Sequence, residues 1–564
     1  MKFSEFKYER PNYEAVENDI NKLILRMETE DSLEKVEKTV DDINKIRNTI
    51  QSMRVIATIR YTINTADEYY EKENEYWDKY NPLYEKINSQ FYKAILNNKF
   101  RDELEKKYGK QFFKIMEYNI KSFSDDIIED LQQENMLVSK YGKLIASAKI
   151  MYDGEEHNLS QMSKFTLNED RNIRRDSNIA KYKFYTDHED EIDSIYDSMV
   201  KVRTKIAKKL GLKNFVELAY LRMLRTDYDA EMVKSFRKQV EEYIVPAAQK
   251  LYKRQAKRLG VETLKYYDEN FKFLSGNPKP KGSPEWIVNN GKTMYSELSP
   301  ETKEFFEYMV SNELMDLVTK KGKAGGGYCD YIPDYKSPFI FSNFNGSSGD
   351  VDVLTHEAGH AFQCYRSTWI NIPECNFPTM ESAEIHSMSM EFFTWPWMKL
   401  FFKEDVDKYK FAHLGSAIKF IPYGVTVDEF QHFVYENPEA TPAERKTAWR
   451  NIEKKYLPHK NYDECDFLER GGWWFQQQHI FASPFYYIDY TLAQICALQF
   501  WKKDQDNHKE AWADYLRLCS VGGTESFTDL VKEANLISPF QDGCIKSIID
   551  VIDQYLDNVN DSNF

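Results

Sequence analysis

The stretch "DVDVLTHEAGHAFQCYRS", residues 350–367, carries two histidines four positions apart, His356 and His360. Residues with this spacing project from the same face of an α-helix, so both imidazoles can reach one metal ion only if the stretch is helical. Zinc accepts such nitrogen ligands at about 2.0–2.1 Å. The apolar residues of the stretch, among them Leu354 and Phe362, allow the helix to be buried. The spacing therefore predicts a buried helix that carries a zinc site, with one zinc ion per chain.

The residue after the first histidine completes an H-E-x-x-H pattern. Glu357 lies beside the first ligand, close enough to hold a water on the metal without binding the metal itself. Zinc makes such a water acidic near neutral pH, and a neighbouring carboxylate can then accept its proton. The pattern therefore predicts hydrolytic chemistry, with Glu357 as the general base.

A catalytic zinc needs a third protein ligand, and the next polar helix offers several acids. In "PTMESAEIHSMSMEFFTW", residues 378–395, Glu381, Glu384 and Glu391 share one helical face, whereas His386 points elsewhere. Spacing alone leaves the three glutamates as alternatives for the ligand. The other two would be acids that support the site or are exposed to solvent.

A third segment, "ERGGWWFQQQHIFASPFYYIDYTLAQI" at residues 469–495, holds His479, Tyr486, Tyr487 and Tyr490 after a Gly-Gly pair. Peptide hydrolysis builds negative charge on an oxygen, which histidine or tyrosine donors can stabilise. Aromatic residues in such a pair also serve simply as core. The combination with His479 favours a role in the site.

The remaining sequence predicts a mainly α fold with many helices and a small β-sheet. Residues 1–110 repeat apolar positions at helical spacing, and Pro82 is expected to interrupt that pattern. The Asp-Gly pair in "AKIMYDGEEHNL" predicts a hairpin, and Pro338–Phe344 predicts a strand beside the H-E-x-x-H helix. We expect an N-terminal helical region, residues 1–160, and a catalytic region, residues 161–564, that pack as one body.

Charge and composition exclude several partners. The net charge of −15 disfavours nucleic acid, whose binding depends on clustered cations. No apolar run is long enough for a transmembrane helix, and the first residues lack the apolar core of a signal peptide. The seven cysteines have no C-x-x-C spacing, which indicates reduced thiols and a cytoplasmic location. The sequence does not indicate an oligomeric state.

Several long motifs occur together and in order: "LNEDRNIRRDSNIA", "SPFIFSNFNGSSGDVDVLTHEAGHAFQ", "ESAEIHSMSMEFF", "HIFASPFYYIDYTLAQI" and "ANLISPFQDGC". In these motifs the chain resembles the oligoendopeptidase F family, in the thimet-oligopeptidase-like branch of zinc metallopeptidases. The resemblance covers most of residues 160–545, and the first 110 residues share only helical character.

The resemblance implies roles for the metal-site residues. His356 and His360 match the zinc histidines of the family, and Glu357 matches its general base. The third ligand of the family matches Glu384. Glu381, one turn earlier, is then expected to hold a zinc histidine as a supporting carboxylate.

The resemblance also implies how substrate is bound. His479, Tyr487 and Tyr490 match the residues that contact the substrate and its oxyanion, although the choice between Tyr487 and Tyr486 remains open. Members of the family have two helical lobes around a deep central channel, which admits short, unstructured peptides. The strand at 338–344 is expected to pair with the substrate as an added strand.

Three functions follow as hypotheses. The first is a zinc endopeptidase that cleaves internal bonds of short peptides. The second is a zinc exopeptidase, either a carboxypeptidase or a dipeptidyl carboxypeptidase, which would need a basic clamp for the substrate carboxylate. The third is a non-catalytic helical peptide-binding protein, which the intact motif and the downstream tyrosines argue against.

Overall fold

Helices make up most of the chain. The computed structural model describes residues 1–564, apart from the side chain of Asn563. The helices of the first half are α1 Tyr13–Thr29, α2 Leu33–Ile63, α3 Glu68–Leu96, α4 Arg101–Tyr108, α5 Lys110–Lys121, α6 Ile128–Ala146, α7 Ser163–Thr166, α8 Arg171–Asp187, α9 Glu189–Lys209, α10 Phe215–Arg222, α11 Ala230–Gln239 and α12 Val245–Leu259. Those of the second half are α13 Pro284–Leu298, α14 Pro300–Ser311, α15 Gly349–Arg366, α16 Pro373–Asn376, α17 Met380–Phe393, α18 Met398–Phe402, α19 Val406–Glu436, α20 Pro442–Tyr456, α21 Asp466–Glu469, α22 Gln478–Ala482, α23 Tyr487–Val521, α24 Phe527–Glu533 and α25 Cys544–Asp557.

The N-terminal helices bury their apolar faces, as their periodicity predicts, in a core to which Ile372 and Cys375 from the later part of the chain also contribute. Residues of α1, α2, α3 and α5 pack together in it, including Ile20, Val36 and Phe91. The expected interruption at Pro82 is wrong, because α3 continues through that residue. Trp77 before the proline and Ile87 after it are both buried, and their packing outweighs the hydrogen bond that proline removes.

Two small sheets accompany the helices. Strands β1 Ile150–Tyr152 and β2 Glu155–His157 form the predicted hairpin, whose turn residues Asp153 and Gly154 both have positive φ, 52° and 79°. Positive φ at both central residues is the geometry that an Asp-Gly pair favours in a two-residue turn.

The second sheet lies immediately before the H-E-x-x-H helix. It contains β3 Met315–Val318, β4 Tyr328–Ile332 and β5 Ser337–Phe344, in the order β3-β5-β4. β5 confirms the strand predicted at 338–344 and leads through a short turn into α15. Because β3 and β4 occupy both of its edges, β5 cannot accept a peptide as an added strand. That expectation is corrected: β4 is the edge strand on one side of the sheet.

α15 is packed against α17 at unusually short range. A Cβ atom built on Gly359 would lie 2.6 Å from the carbonyl oxygen of His386. Only glycine allows the two helix backbones to approach so closely. Among the described residues, no helix is long and apolar enough to cross a membrane, and the seven cysteines are free thiols.

Candidate active site

Three side chains from α15 and α17 converge on one point. The Nε2 atoms of His356 and His360 lie 3.2 Å and 3.5 Å from Oε2 of Glu384. All three donor atoms lie within 4.8 Å of one another. Two imidazoles and one carboxylate are a donor set found in catalytic zinc sites, where the fourth position stays open. The residues present therefore fit a zinc ion.

A carboxylate links His356 to a second imidazole through hydrogen bonds. Glu391 accepts a hydrogen bond from His356 Nδ1 at 2.7 Å and another from His413 Nε2 at 2.8 Å. Nδ1 of His413 in turn accepts from the indole N–H of Trp395. Although burial opposes the charge, these two hydrogen bonds lower the pKa of Glu391 to about 2. The contact keeps a proton on Nδ1 of His356 and leaves Nε2 free to bind a metal.

Glu357 faces the same region but does not join the three donor atoms. Its side chain is 6% exposed, and its Oε2 has no hydrogen-bond partner among the described residues. Burial raises the pKa of its carboxyl group. Gly327, just before β4, leaves room beside it, because a Cβ there would lie 3.5 Å from Glu357 Oε1. Glu357 thus has a free acceptor oxygen next to the three donors.

His479 and the tyrosines lie together at the start of α23. Ring centroids of His479 are 5.0 Å from Tyr487 and 5.9 Å from Tyr490. The hydroxyl of Tyr486 donates to Glu384 Oε1 at 2.7 Å, whereas no such contact to Glu384 is found for Tyr487 among the described residues. The Gln477 amide donates to Nδ1 of His479 at 2.9 Å, which leaves Nε2–H of that ring as a donor. Burial lowers the pKa of His479, so its ring is neutral near pH 7.

The free edge of β4 lines a cavity of about 640 Å³. The backbone N–H of Ile340 in β5 points towards β3, where it donates to the Leu314 carbonyl. Cys329 is paired with Ile340, so its own N–H and C=O point away from β5. α2 and α3 contribute the opposite wall of the cavity, with Asn48 and Asn81 among its residues. An extended chain in this cavity could therefore bond to the edge of β4.

Comparison with known proteins agrees with this geometry. Residues 164–549 match peptidase family M3, and residues 3–123 match the peptidase M3 N-terminal domain. The chain belongs to peptidase family M3. It is therefore a peptidase, and peptides are its substrates.

Individual proteins resemble the chain in sequence or in fold. The chain is 25% identical over 439 residues to an oligoendopeptidase F homologue of Borreliella burgdorferi, covering 72% of each protein. It superimposes on the structure of PZ peptidase A with an inhibitor at a TM-score of 0.97, with 58% identity and full coverage of both chains. An oligoendopeptidase F from Bacillus anthracis gives a TM-score of 0.93 at 55% identity, over 100% of this chain and 99% of the other. The mainly α fold class is thereby confirmed.

One residue of this M3 site differs from expectation. Glu381 makes no hydrogen bond to His356 or His360 among the described side chains, and Glu391 makes the supporting contact instead. Seven residues are close to two helical turns, so Glu391 projects within about 20° of Glu384, whereas Glu381 is rotated by about 60°. Burial and the neighbouring carboxyl of Asp489 together raise the pKa of Glu381 to about 8.

Two contacts of the M3 site were not predicted. His413 lies on α19 and meets Glu391 only through tertiary packing, so no local pattern marks it. The hydroxyl contact of Tyr486 with Glu384 is also new, although the Tyr-Tyr pair had already marked the position. The other predicted residues, His479, Tyr487 and Tyr490, lie next to one another as described.

Proposed function

We propose that this M3 peptidase is a zinc-dependent oligoendopeptidase that hydrolyses internal bonds of short, unstructured peptides. The observation that carries the proposal is the convergence of His356, His360 and Glu384 beside Glu357, whose Oε2 has no partner among the described residues. This arrangement has the donor set and the nearby base of a zinc peptidase.

The three converging residues would hold the zinc ion. When bound, zinc supplies a Lewis acid that polarises the substrate carbonyl and makes water a nucleophile near neutral pH. Glu391 fixes the orientation and tautomer of His356 through the 2.7 Å contact to Nδ1. Tyr486 holds the second oxygen of Glu384, which keeps Oε2 directed at the two histidines.

Glu357 is proposed to carry the proton. Its partner-free oxygen accepts the proton of the attacking water, and the same carboxyl group then delivers that proton to the leaving amine. An internal amide bond needs both transfers, because the amine is a poor leaving group until it is protonated. A single carboxyl group that first accepts the proton and then donates it performs both transfers.

His479, Tyr487 and Tyr490 are proposed to donate the hydrogen bonds that stabilise the oxyanion. His479 presents Nε2–H because its Nδ1 accepts from Gln477. Tyr487 and Tyr490 place their rings 5.6 Å apart beside it. Because the hydroxyl of Tyr486 is occupied by Glu384, Tyr487 is the better candidate of the adjacent pair for binding substrate. A donor aimed at the developing charge is typically worth about 2.7–4 kcal/mol.

Substrate is proposed to lie along β4 rather than along β5. The outward backbone groups of Cys329 offer hydrogen bonds to any peptide backbone, which gives broad selection. The cavity beside this edge has walls from the N-terminal helices. Its volume of about 640 Å³ suits a few residues of extended peptide.

Peptides of graded length, with a fluorophore and a quencher at opposite ends, test this proposal. We expect cleavage at internal bonds of peptides of about ten residues, identified by mass spectrometry of the products, and no digestion of casein. A matched set with an amidated C-terminus tests the exopeptidase alternative, because an exopeptidase of that class needs a free carboxylate. Glu357→Gln serves as the inactive control. Loss of cleavage on amidation, with products released only from the C-terminus, would contradict the endopeptidase proposal.

A further inference from the structure

A strained turn connects His479 to the tyrosines of the candidate site. Phe485 lies between α22, which carries His479, and α23, which carries the tyrosines. Its φ is +67°, in the left-handed region that large side chains rarely adopt. The residue is fully buried. Such a conformation persists only where the surroundings hold it, and it is frequent at functional sites.

Two buried side chains from other segments hold this turn. The N–H of Phe485 donates to Gln431 Oε1 of α19 at 2.8 Å. Its carbonyl oxygen accepts from Nη2 of Arg225, just after α10, at 2.5 Å. Both polar groups of the strained residue are thus fixed by residues far away in the sequence.

Arg225 also holds the first turn of α23. The same Nη2 atom donates to Asp489 Oδ1 at 2.9 Å, and both side chains are inaccessible to solvent. The guanidinium lies over the ring of Tyr220, 4.3 Å from its centroid. A buried ion pair is weak evidence for stability, because desolvation of the two charges offsets much of their attraction. Arg225 binds residues 485 and 489, which flank Tyr486 and Tyr487. This placement indicates a role in positioning the tyrosines rather than in stabilising the fold.

We infer that Arg225 and Gln431 are positioning residues, which hold Phe485 and Asp489 so that the tyrosines at the start of α23 keep their places over the site. The inference rests on the proposed function, since it gives those tyrosines their purpose. Without Arg225 the turn would relax towards an ordinary conformation. The hydroxyl of Tyr486 would then leave Glu384, now 2.7 Å away, and Tyr490 would move with the same helical turn. A displacement of about 1 Å at a catalytic group can lower turnover about 10²-fold.

The main test is the double variant Arg225→Met with Asp489→Asn. Methionine keeps a long apolar side chain, and asparagine avoids leaving a buried charge without its partner. Measured at saturating zinc, since release of Tyr486 from Glu384 also weakens the metal site, we expect a kcat lower by at least about tenfold and a KM changed by less than about threefold, because Tyr490 acts in the transition state. The split between kcat and KM is a readout that a purely structural role would not produce.

Arg174 with Asp268 provides a matched control. Arg174 Nη2 donates to Asp268 Oδ1 at 3.1 Å, Nη1 donates to the Asn168 carbonyl at 2.7 Å, and the guanidinium lies over an aromatic ring. Among the described residues, neither side chain bonds to residues 478–490. Arg174→Met with Asp268→Asn should therefore lose comparable packing and keep kcat within about twofold.

The uncharged variant Gln431→Leu keeps the inference testable if the Arg225 pair does not fold. It removes the bond to the Phe485 N–H together with a 3.2 Å bond from Gln431 Nε2 to the Val427 carbonyl of its own helix, and we expect the same fall in kcat. Unchanged kcat in a folded, zinc-loaded Gln431→Leu or Arg225 variant would overturn the inference, as would an equal fall in the Arg174 control. If the wild-type protein cleaves peptides and Tyr490→Phe lowers kcat, such a result leaves the proposed function standing. A wild-type protein that cleaves no peptide would overturn both.

Discussion

Replacing Glu391 with glutamine should weaken zinc binding through a histidine that the substitution does not touch. Glu391 accepts from His356 Nδ1 at 2.7 Å and from His413 Nε2 at 2.8 Å, using both oxygens. Glutamine has one acceptor oxygen and an NH₂ group, so it cannot accept both hydrogen bonds. Trp395 already donates to Nδ1 of His413, which keeps the proton of that ring on Nε2. If the amide oxygen serves His413, its NH₂ faces His356 and favours the tautomer protonated on Nε2, the atom needed by the metal.

The size of the effect follows from supporting contacts of this kind. Their loss typically costs about 10–100-fold in metal affinity. At about 1.4 kcal/mol for each factor of ten, Glu391→Gln should cost about 1.4–2.8 kcal/mol of zinc-binding free energy. Glu381→Gln is the matched control, since it is the same substitution on the same helix at a residue without a hydrogen bond to His356 or His360. We expect that control to lose less than about tenfold in affinity.

Competition with a chromophoric zinc chelator at one fixed pH measures both variants, because zinc affinity itself depends on the protonation of its ligands. Circular dichroism checks that each variant is folded before the titration. Wild-type affinity in Glu391→Gln, or a larger loss in Glu381→Gln than in Glu391→Gln, would refute the reasoning.

Further predictions concern the chemistry of the site and the packing of its two helices. Glu357→Gln should keep zinc and fold but lose nearly all turnover, because an amide cannot accept a proton; near-normal kcat with zinc bound would identify another base. Tyr490→Phe should lower kcat by about 10²–10³ with little change in KM, and steady-state kinetics of the zinc-loaded variant checks this. Gly359→Ala should destabilise the fold by about 1–3 kcal/mol in denaturant titrations, since its Cβ would lie 2.6 Å from the His386 carbonyl; unchanged stability would mean that the helices separate freely.

Local patterns predicted much of the fold. Helical periodicity in the first 110 residues, the Asp-Gly hairpin and the strand at 338–344 all correspond to observed elements. Pro82 shows where local reasoning fails: the intrinsic cost of proline in a helix is real, but the packing of Trp77 and Ile87 on either side outweighs it. The central position of β5 in its sheet could not be predicted either, because strand order depends on partners distant in the sequence.

The residues of the candidate site likewise include some that the sequence predicts and some that it does not. Two histidines on one helix face follow from their spacing, and the structure brings Glu384 to within 3.5 Å of both. The choice among three glutamates does not follow from spacing, because it depends on which face of α17 meets α15. Seven residues bring Glu391 back to nearly the same direction as Glu384, whereas three do not do so for Glu381. His413 could not be predicted, since it reaches the site from α19.

A signal for that packing was nevertheless present in the motif. Gly359 stands in the middle of a helix, where glycine costs about 1 kcal/mol relative to alanine. A residue that weakens its own helix indicates a requirement from outside the helix, and here the requirement is the backbone of α17 at His386. The same close approach brings Glu384, two residues earlier on α17, within reach of the histidines on either side of the glycine. The glycine of "HEAGH" therefore contributes to the geometry of the three donor atoms as directly as the spacing of the two histidines.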